Sequence, residues 1–499
     1  MAQADTALPD VLYSAQQVRD LDARVIAAGT PGFDLMQRAA KACWRTLRLQ
    51  WPQARALTVL AGAGNNGADG YLVAALAQRA GWQVRVYTLA DTTALAGDAA
   101  KAYADACSDS VNIQPWAPGA PLNGVVVDAL FGTGLARDVQ GVYQQAIEAI
   151  NASGLGVLAV DIPSGLNAST GHVMGSAVRA DVTVTFIGLK LGLLTGEAPA
   201  QVGRLVFDPL HTHLTLAQGI QAEAQLLMPG NLSLPAPRRA TAHKGQFGRV
   251  LVVGGEQGTG GAAIMAAEAA LRSGAGMVSL ATREAHVAPA LTRLPEVMTA
   301  SVASANQLRP LVEAASVLVV GPGLGTAAWA RSLVSVAATR QVPQVWDADA
   351  LNLLAKGVVR LPEGAVITPH PGEAARLLGI DTEQVQQDRP LAVRALASRY
   401  RATCVLKGAG SLVAAPDGRL ALCNHGHPAM ATGGLGDVLS GVIGALLAQH
   451  LTPFEAACLG VWLHARAGEL QGAQGRGLAA VDLIPTIRQL IEELAPCKA

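Results

Sequence analysis

Residues 56–70 read ALTVLAGAGNNGADG: a short apolar run, Ala56–Ala61, empties into glycine, asparagine and aspartate, and the helical pattern YLVAALAQRAG follows at 71–81. A strand buried on both faces reads as such a near-continuous apolar run, and comparable runs recur at 84–89, 125–128 and 157–161. Strand, small-residue loop and helix in repeated alternation predict an α/β fold, an αβα sandwich around a mostly parallel sheet. Ligands of such a sheet sit outside the carboxyl ends of its strands, so the loops that follow them are where chemistry is expected.

The alternation breaks and resumes. Residues 228–239, MPGNLSLPAPRR, carry three prolines and follow a polar stretch rich in Gln and Ala. This predicts two domains, 1–225 and 241–499, joined by a linker at 226–240. Strand signals return at 249–253 (RVLVV), followed by GGEQGTGGAA and a helix at about 262–273. Later strands are expected at 277–281, 317–320, 345–347, 366–368 and 403–407, and a helical end from about residue 436. A chain of 499 residues suits two large α/β domains at up to about 250 residues each. With 51% hydrophobic and 15% charged residues the chain is not disordered, and the absence of an internal repeat excludes a solenoid.

Lys plus Arg equals 37 and Asp plus Glu equals 37, so no global positive field draws a polyanion and nucleic acid is not the expected partner. The first ten residues lack the basic start and apolar run of a secretory signal, and the most apolar stretch, 438–448, falls short of the roughly 18 residues a membrane span needs. Six cysteines without a CxxC pair read as free thiols in a reducing compartment. A soluble, cytoplasmic protein with no membrane partner is expected.

Glycines in 62–70 let backbone N–H groups approach a phosphate at a helix start. The stretch departs from the dinucleotide fingerprint, because Asn65, Asn66 and Asp69 present oxygen and amide groups directly; taken alone it reads equally well as a turn. Two further strand ends shift the balance. Residues 125–128 lead into ALFGTGLARD and 157–161 into IPSGLN, each strand ending on an aspartate. The three loops should converge on one sheet edge, where Asn66, Asp128 and Ser164 offer hard oxygen ligands to a monovalent cation and Asp161 can do acid–base work. Helix capping explains Asp128 or Asp161 singly, but not the constellation.

Asn65-Asn66-Gly67-Ala68-Asp69-Gly70, Asp128 with Ala129-Leu130-Phe131-Gly132-Thr133-Gly134, and Asp161-Ile162-Pro163-Ser164-Gly165 resemble the N-terminal epimerase domain of the bifunctional NAD(P)H-hydrate repair enzymes. Ala68 stands where that family usually has Gly. The resemblance implies a Rossmann-like domain that interconverts the R and S hydrates of NADH and NADPH around a bound potassium ion. It implies a hydrate site lined by Asn65, Asn66, Gly67, Ala68 and Asp69 and by Gly132, Thr133, Gly134, Leu135, Ala136, Arg137 and Asp138. Potassium would sit at Asn66, Asp128 and Ser164, with Asp161 as the acid–base group. Tyr143, one turn into the next helix, reads first as a packing residue.

In the second half, MATGGLGDVLS (430–440) sets a glycine run directly before an apolar helix, with Asp437 in the first turn. Glycines bring helix-terminal N–H groups to a phosphate, and the aspartate can take a proton from a hydroxyl attacking it. This GxGD arrangement resembles the ribokinase-like superfamily; a helix-capping Asp is the plainer reading. Together with LKGAGS (406–411), TPHPGE (368–373), GPGLG (321–325) and GGAA (260–263), it resembles the ADP-dependent NAD(P)H-hydrate dehydratase domain, with Leu435 where that family often has Thr. The resemblance implies that Ala262, Gly323, His370 and Asp437 contact the hydrate, that Lys407, Gly408, Ala409, Gly410, Ser411 and Gly436 hold the nucleotide, and that ADP is co-substrate, leaving AMP and phosphate. A Mg²⁺ would shield the phosphate charge. The alternative is a ribokinase-like small-molecule kinase carrying an accessory or scaffold domain, since domains like the first half also occur in scaffolds of RNA decay. Asp161 and the Asn65-Asn66 pair argue against scaffolding. A homo-oligomer is compatible with the sequence, which does not fix the oligomeric state.

Overall fold

The computed structural model of the chain describes residues 8–212 and 219–497. The chain divides into two compact units, Met1–Gln225 and Leu226–Ala499.

The first unit contains strands β1 (Val11–Leu12), β2 (Ala56–Ala61), β3 (Gln83–Thr88), β4 (Asn112–Pro115), β5 (Val125–Ala129), β6 (Val157–Val160), β7 (Val182–Phe186) and β8 (Arg204–Asp208). Strands β2 to β8 form one sheet in the order β4-β3-β2-β5-β6-β7-β8, every pairing parallel. Strands β5, β6 and β7 are buried along their whole length, as their Val-rich sequences predict. The strand order reverses between β2 and β5, and that switch point opens the crevice for a ligand. Outside this sheet, β1 pairs antiparallel with β9 (Ala224–Leu226) through Leu12↔Ala224 and Val11↔Gln225.

One expectation changes here. Asn65 to Gly70 are not a loop but the opening turns of helix Asn65–Arg79, with Gly64 as its extended N-cap. Glycine sets this geometry: a Cβ on Gly62 would lie 2.0 Å from the Leu130 carbonyl oxygen, and one on Gly67 would lie 2.1 Å from the Gly62 carbonyl oxygen. Ala68 is buried in that helix, so the methyl at the departure from the family pattern packs in the core. Gly67→Ala is expected to destabilise the protein by about 1–3 kcal/mol, since the clash is with backbone that a rotamer change cannot relieve. Thermal unfolding of the full chain followed by tryptophan fluorescence checks it; an unchanged midpoint would mean that the turn moves aside freely.

The second unit contains β10 (Arg249–Val253), β11 (Met277–Thr282), β12 (Met298–Ser301), β13 (Val317–Val320), β14 (Gln344–Trp346), β15 (Val366–Ile367), β16 (Thr403–Leu406), β17 (Ser411–Ala414) and β18 (Leu420–Cys423). Their order is β18-β17-β16-β15-β14-β13-β10-β11-β12. Pairings from β12 through β16 are parallel, and β16, β17 and β18 close the edge as antiparallel hairpins. Helices Gly260–Arg272 and Leu435–Ala448 supply much of the core through small residues such as Ala266, Ala270 and Ala445. The stretch 226–240, expected as a linker, falls in this unit, because Leu227 and Leu232 bury themselves in its core despite the prolines around them.

Among the described residues no helix is long and apolar enough to cross a membrane. All six cysteines are free.

Two candidate active sites

The first unit holds a cleft of about 830 Å³ beyond the carboxyl ends of β2, β5 and β6. Asn65, Asn66 and Asp69 line it from the helix start, the run from Gly132 to Arg137 lines a second side, and Asp161 stands just past β6. Asp138 does not line it: the chain turns away where the Val139 amide donates to the Met174 carbonyl at 2.9 Å, leaving Asp138 exposed with its Cβ toward Gly175. Gly67 and Ala68 are buried beneath the wall rather than on it. Tyr143 does line the cleft, its ring 4.6 Å from that of Phe131.

Asp161 adopts φ +66°, a left-handed conformation that costs a non-glycine residue about 1–3 kcal/mol and that surrounding structure must enforce. Its amide donates to the Val184 carbonyl at 2.7 Å. Its Oδ1 accepts from Lys190 Nζ at 2.5 Å, and that ammonium, fully buried, also donates to Thr185 Oγ1 at 3.0 Å and the Phe186 carbonyl at 3.3 Å. The sequence reading passed over Lys190, although a single lysine inside GLKLGLL is the kind of residue that is buried only when paired. It also passed over Asp22, a further cleft residue on helix Ala15–Ala27. Burial foremost, and then Asp161 and Asp22, push the Asp69 carboxyl well above its ordinary range.

Below the cleft lie Asp128 and Ser164, both fully buried. Ser164 Oγ donates to Asp128 Oδ1 at 2.6 Å, the Ser164 amide donates to Asp128 Oδ2 at 2.7 Å, and the Phe131 amide donates to Ser164 Oγ at 2.8 Å. Asn66 Nδ2 donates to the Phe131 carbonyl at 2.7 Å, which brings the third expected ligand to the same knot. Asn66 Oδ1 is buried and has no hydrogen-bond partner among the described residues. Burial raises the Asp128 carboxyl to about 6 against the pull of its Ser164 contacts, and among the described residues neither Lys nor Arg donates to it. An orphaned amide oxygen beside a buried carboxylate without a cationic partner is a donor set that suits a weakly hydrated monovalent cation.

In the second unit, Asp437 is the third residue of helix Leu435–Ala448, which follows the left-handed Gly434. No hydrogen-bond partner of its carboxylate is found among the described residues, and burial foremost, then Asp347, raises it to about 7 while Lys407 pulls the other way. Lys407 Nζ donates to Asp347 Oδ1 at 2.8 Å and lies 3.9 Å from Glu373 Oε2, and Ser440 Oγ donates to Asp347 Oδ2 at 2.6 Å. Although burial raises it, Asp347 ends below the usual carboxylate range because Lys407, Ser440 and Thr368 hold its charge. Gly436 belongs to this cluster, since a Cβ there would stand 3.1 Å from Lys407 Nζ.

Lys407 is therefore tied to carboxylates rather than open in a turn, and Asp347 and Glu373 are site residues that sequence reading missed. Ala348, beside Asp347, has φ +49°, a strained setting that only a structure shows. Gly408 and Gly410 both have positive φ, and the buried Arg389 donates to the Leu406 and Lys407 carbonyls, fixing the turn that carries Ser411. Gly323, at φ +56°, and Ala262 meet, the Cβ position of the former lying 3.1 Å from the Cβ of the latter. His370 caps helix Pro371–Leu378, its Nδ1 accepting from the Gly372 amide at 3.0 Å. Its other ring nitrogen, Nε2, lies 3.5 Å from Glu373 Oε1. Burial, then Lys407, lowers the His370 pKa, which keeps that cap an acceptor.

Geometry of this kind defines a two-headed enzyme: an α/β cleft with an aspartate held by a buried lysine in one unit, and in the other a glycine-led helix with a carboxylate at its start, an arrangement suited to phosphoryl transfer. The family described as YjeF-related protein N-terminus matches residues 32–192, and that described as NAD(P)H-hydrate dehydratase matches residues 250–489. The chain belongs to the bifunctional NAD(P)H-hydrate repair enzymes. It is 45% identical to the one from Coxiella burnetii, over 96% of this chain and 99% of that one. It is 41% identical to the one from Escherichia coli, over 98% and 96%. A ribokinase-like superfamily protein from Enterococcus faecalis superposes at TM-score 0.51 with 30% identity, covering 55% of this chain and 97% of its own.

Proposed function

We propose that the chain repairs hydrated NADH and NADPH, the first unit interconverting the R and S hydrates and the second dehydrating the S form with ADP to give NAD(P)H, AMP and phosphate. The observation that carries this reading is Asp437, a half-buried carboxylate raised to about 7 at the head of a glycine-led helix. A group poised near neutrality can take the proton of the C6 hydroxyl as that oxygen attacks the ADP phosphate. The ring nitrogen lone pair then expels phosphate and restores the dihydropyridine. Lys407, held by Asp347, places positive charge beside the base, Ala262, Gly323 and His370 would contact the hydrate, and Gly408, Ala409, Gly410, Ser411 and Gly436 would contact the nucleotide.

In the first unit Asp161 would exchange protons with the C6 hydroxyl while Asn65, Asn66, Asp69 and the run from Gly132 to Arg137 hold the hydrate. Potassium, held by Asn66, Asp128 and Ser164, would supply a fixed positive charge beneath the substrate. Among the described residues no three His, Cys, Asp or Glu side chains are arranged around a metal. A Mg²⁺ would enter on the ADP phosphates and shield their charge. The cytoplasm suits a protein whose substrates are the soluble dinucleotides.

Incubation of the protein with mixed hydrate epimers, with and without ADP, tests the reading by NADH absorbance. Recovery that requires ADP and consumes both epimers is expected; loss of hydrate without NADH, or a stable phosphoester formed from ATP, would instead favour a small-molecule kinase. Exchange of potassium for tetramethylammonium should slow epimerisation by about 10- to 100-fold, the usual cost of disturbing a metal's surroundings, with recovery on adding KCl. An epimerisation rate indifferent to the cation would remove potassium from Asn66, Asp128 and Ser164.

A further inference from the structure

Epimerisation at C6 takes a hydroxyl from one face of the ring and adds water to the other, so a single carboxylate on one wall is poorly placed for both proton transfers. Asp161 stands past β6 with Lys190 bonded to its Oδ1, which fixes its carboxyl on one wall of the cleft. Asp22 reaches the same cleft from helix Ala15–Ala27, a different wall. Asp22 is half-buried in the cleft lining, and among the described residues its carboxyl has no hydrogen-bond partner, which leaves it free to meet a ligand there.

We infer that Asp22 is the second acid–base group of the epimerase, and that Asp22 and Asp161 share one proton across the cleft. The inference rests on the epimerase reading of the first unit. With Asp22 protonated, its proton passes to the C6 hydroxyl, the C6–O bond breaks with its electron pair leaving on water, and the nitrogen lone pair forms the C6=N1 iminium. Water adds to the opposite face, giving a new C6–O bond; its extra proton goes to Asp161, and the electron pair returns to nitrogen. The turnover leaves Asp22 ionised and Asp161 protonated, which is the starting state for the reverse epimerisation, and exchange with solvent in the open cleft resets the pair.

The surroundings fit this division. Burial foremost raises Asp22 to about 6, with Lys190 pulling it down and Asp161 pushing it up. Asp69 faces the same space with its own carboxyl raised. Arg19, on the helix of Asp22, turns its guanidinium to the Thr133 carbonyl at 3.2 Å and to Gln16 at 2.7 Å. Arg137 and Asp98 complete the charged lining. Lys190 thus acts as a positioning residue that holds the Asp161 carboxyl on its wall of the cleft.

The test is Asp22→Asn in the full chain, with initial epimerisation rates followed by chromatography without ADP from pH 5 to 9. Loss of kcat by about 10²–10⁴ is expected, the usual cost of removing a general acid or base, with KM changed only a few-fold. The wild-type profile should be bell-shaped, since the pair works with one proton, and the variant should lose its alkaline limb. Asp22→Glu, which restores a carboxyl, should regain part of the rate. An Asp22→Asn enzyme with wild-type kcat, a change confined to KM, or a retained alkaline limb would overturn the proposal. So would inactivity of both variants together with a lowered unfolding midpoint, which would make Asp22 a structural residue. A wild-type protein that does not accelerate epimerisation at all would instead overturn the epimerase reading itself, and the proposal with it.

Discussion

Asp437→Ala is expected to lower ADP-dependent NAD(P)H recovery by about 10²–10⁴ while leaving epimerisation and ADP binding in place. Asp437 has no hydrogen-bond partner among the described residues, so its removal leaves no buried donor stranded. The neighbouring charges already satisfy one another: Lys407 keeps Asp347, and Asp347 keeps Ser440. Loss of the carboxylate should even ease the repulsion with Asp347 that helps raise it. The pH dependence has a definite sign. A base raised to about 7 is protonated and idle below that pH, so wild-type recovery should climb through about 7 and level off above it. The residual rate of the variant should lack this step. Initial NADH recovery from the S hydrate across pH, with ADP affinity by calorimetry, checks both parts. Wild-type recovery in the variant, or a step that persists, would exclude Asp437 as the base, whereas loss of ADP affinity would point to a collapsed glycine run.

Much of this site was legible in the sequence because its backbone parts are local. A glycine run before an apolar helix, or an aspartate closing a Val-rich strand, carries its meaning within a few residues, which is why β2, β10 and β13 have the limits expected from their apolar runs. The partners of those residues were not legible, since they come from elsewhere in the chain. Asp347 looked like the end of a strand until Lys407 and Ser440 closed on it. Asp22 sits in RDLDAR, a stretch that reads as a solvated helix face, and only the fold turns it toward a cleft. His370 shows the opposite case: a residue singled out for ligand contact spends one ring nitrogen capping its own helix, a role written in the adjacent Pro-Gly-Glu. The start of helix Asn65–Arg79 was misjudged for a related reason. Asn, Gly and Asp favour turns, but packing of the glycines against the Gly62 and Leu130 backbone selects the helix.

Asp161→Asn should abolish enzyme-dependent interconversion of the hydrate epimers and spare ADP-dependent repair of the S form. Asparagine is the informative replacement because of Lys190. Alanine would leave a fully buried ammonium with only the Thr185 hydroxyl and the Phe186 carbonyl, and breaking a buried ion pair from one side typically costs about 3–5 kcal/mol. Asparagine keeps an oxygen at Oδ1 to accept from Lys190 and tolerates the left-handed backbone at φ +66°. It cannot take a proton at neutral pH, so the chemistry should fail while the cleft persists, with a loss of about 10²–10⁴ in the enzyme-dependent rate. Comparing Asp161→Asn with Asp161→Ala then separates the two contributions of one residue: both should lose epimerisation and the counter-charge of Lys190, but alanine, which also removes the oxygen that accepts from Lys190, should lower the unfolding midpoint further. Chromatographic epimer ratios at early times give the first quantity, since the hydrate also epimerises by itself, and thermal unfolding gives the second. Wild-type epimerisation by the asparagine variant would take Asp161 out of the reaction and leave it as the counterion of Lys190.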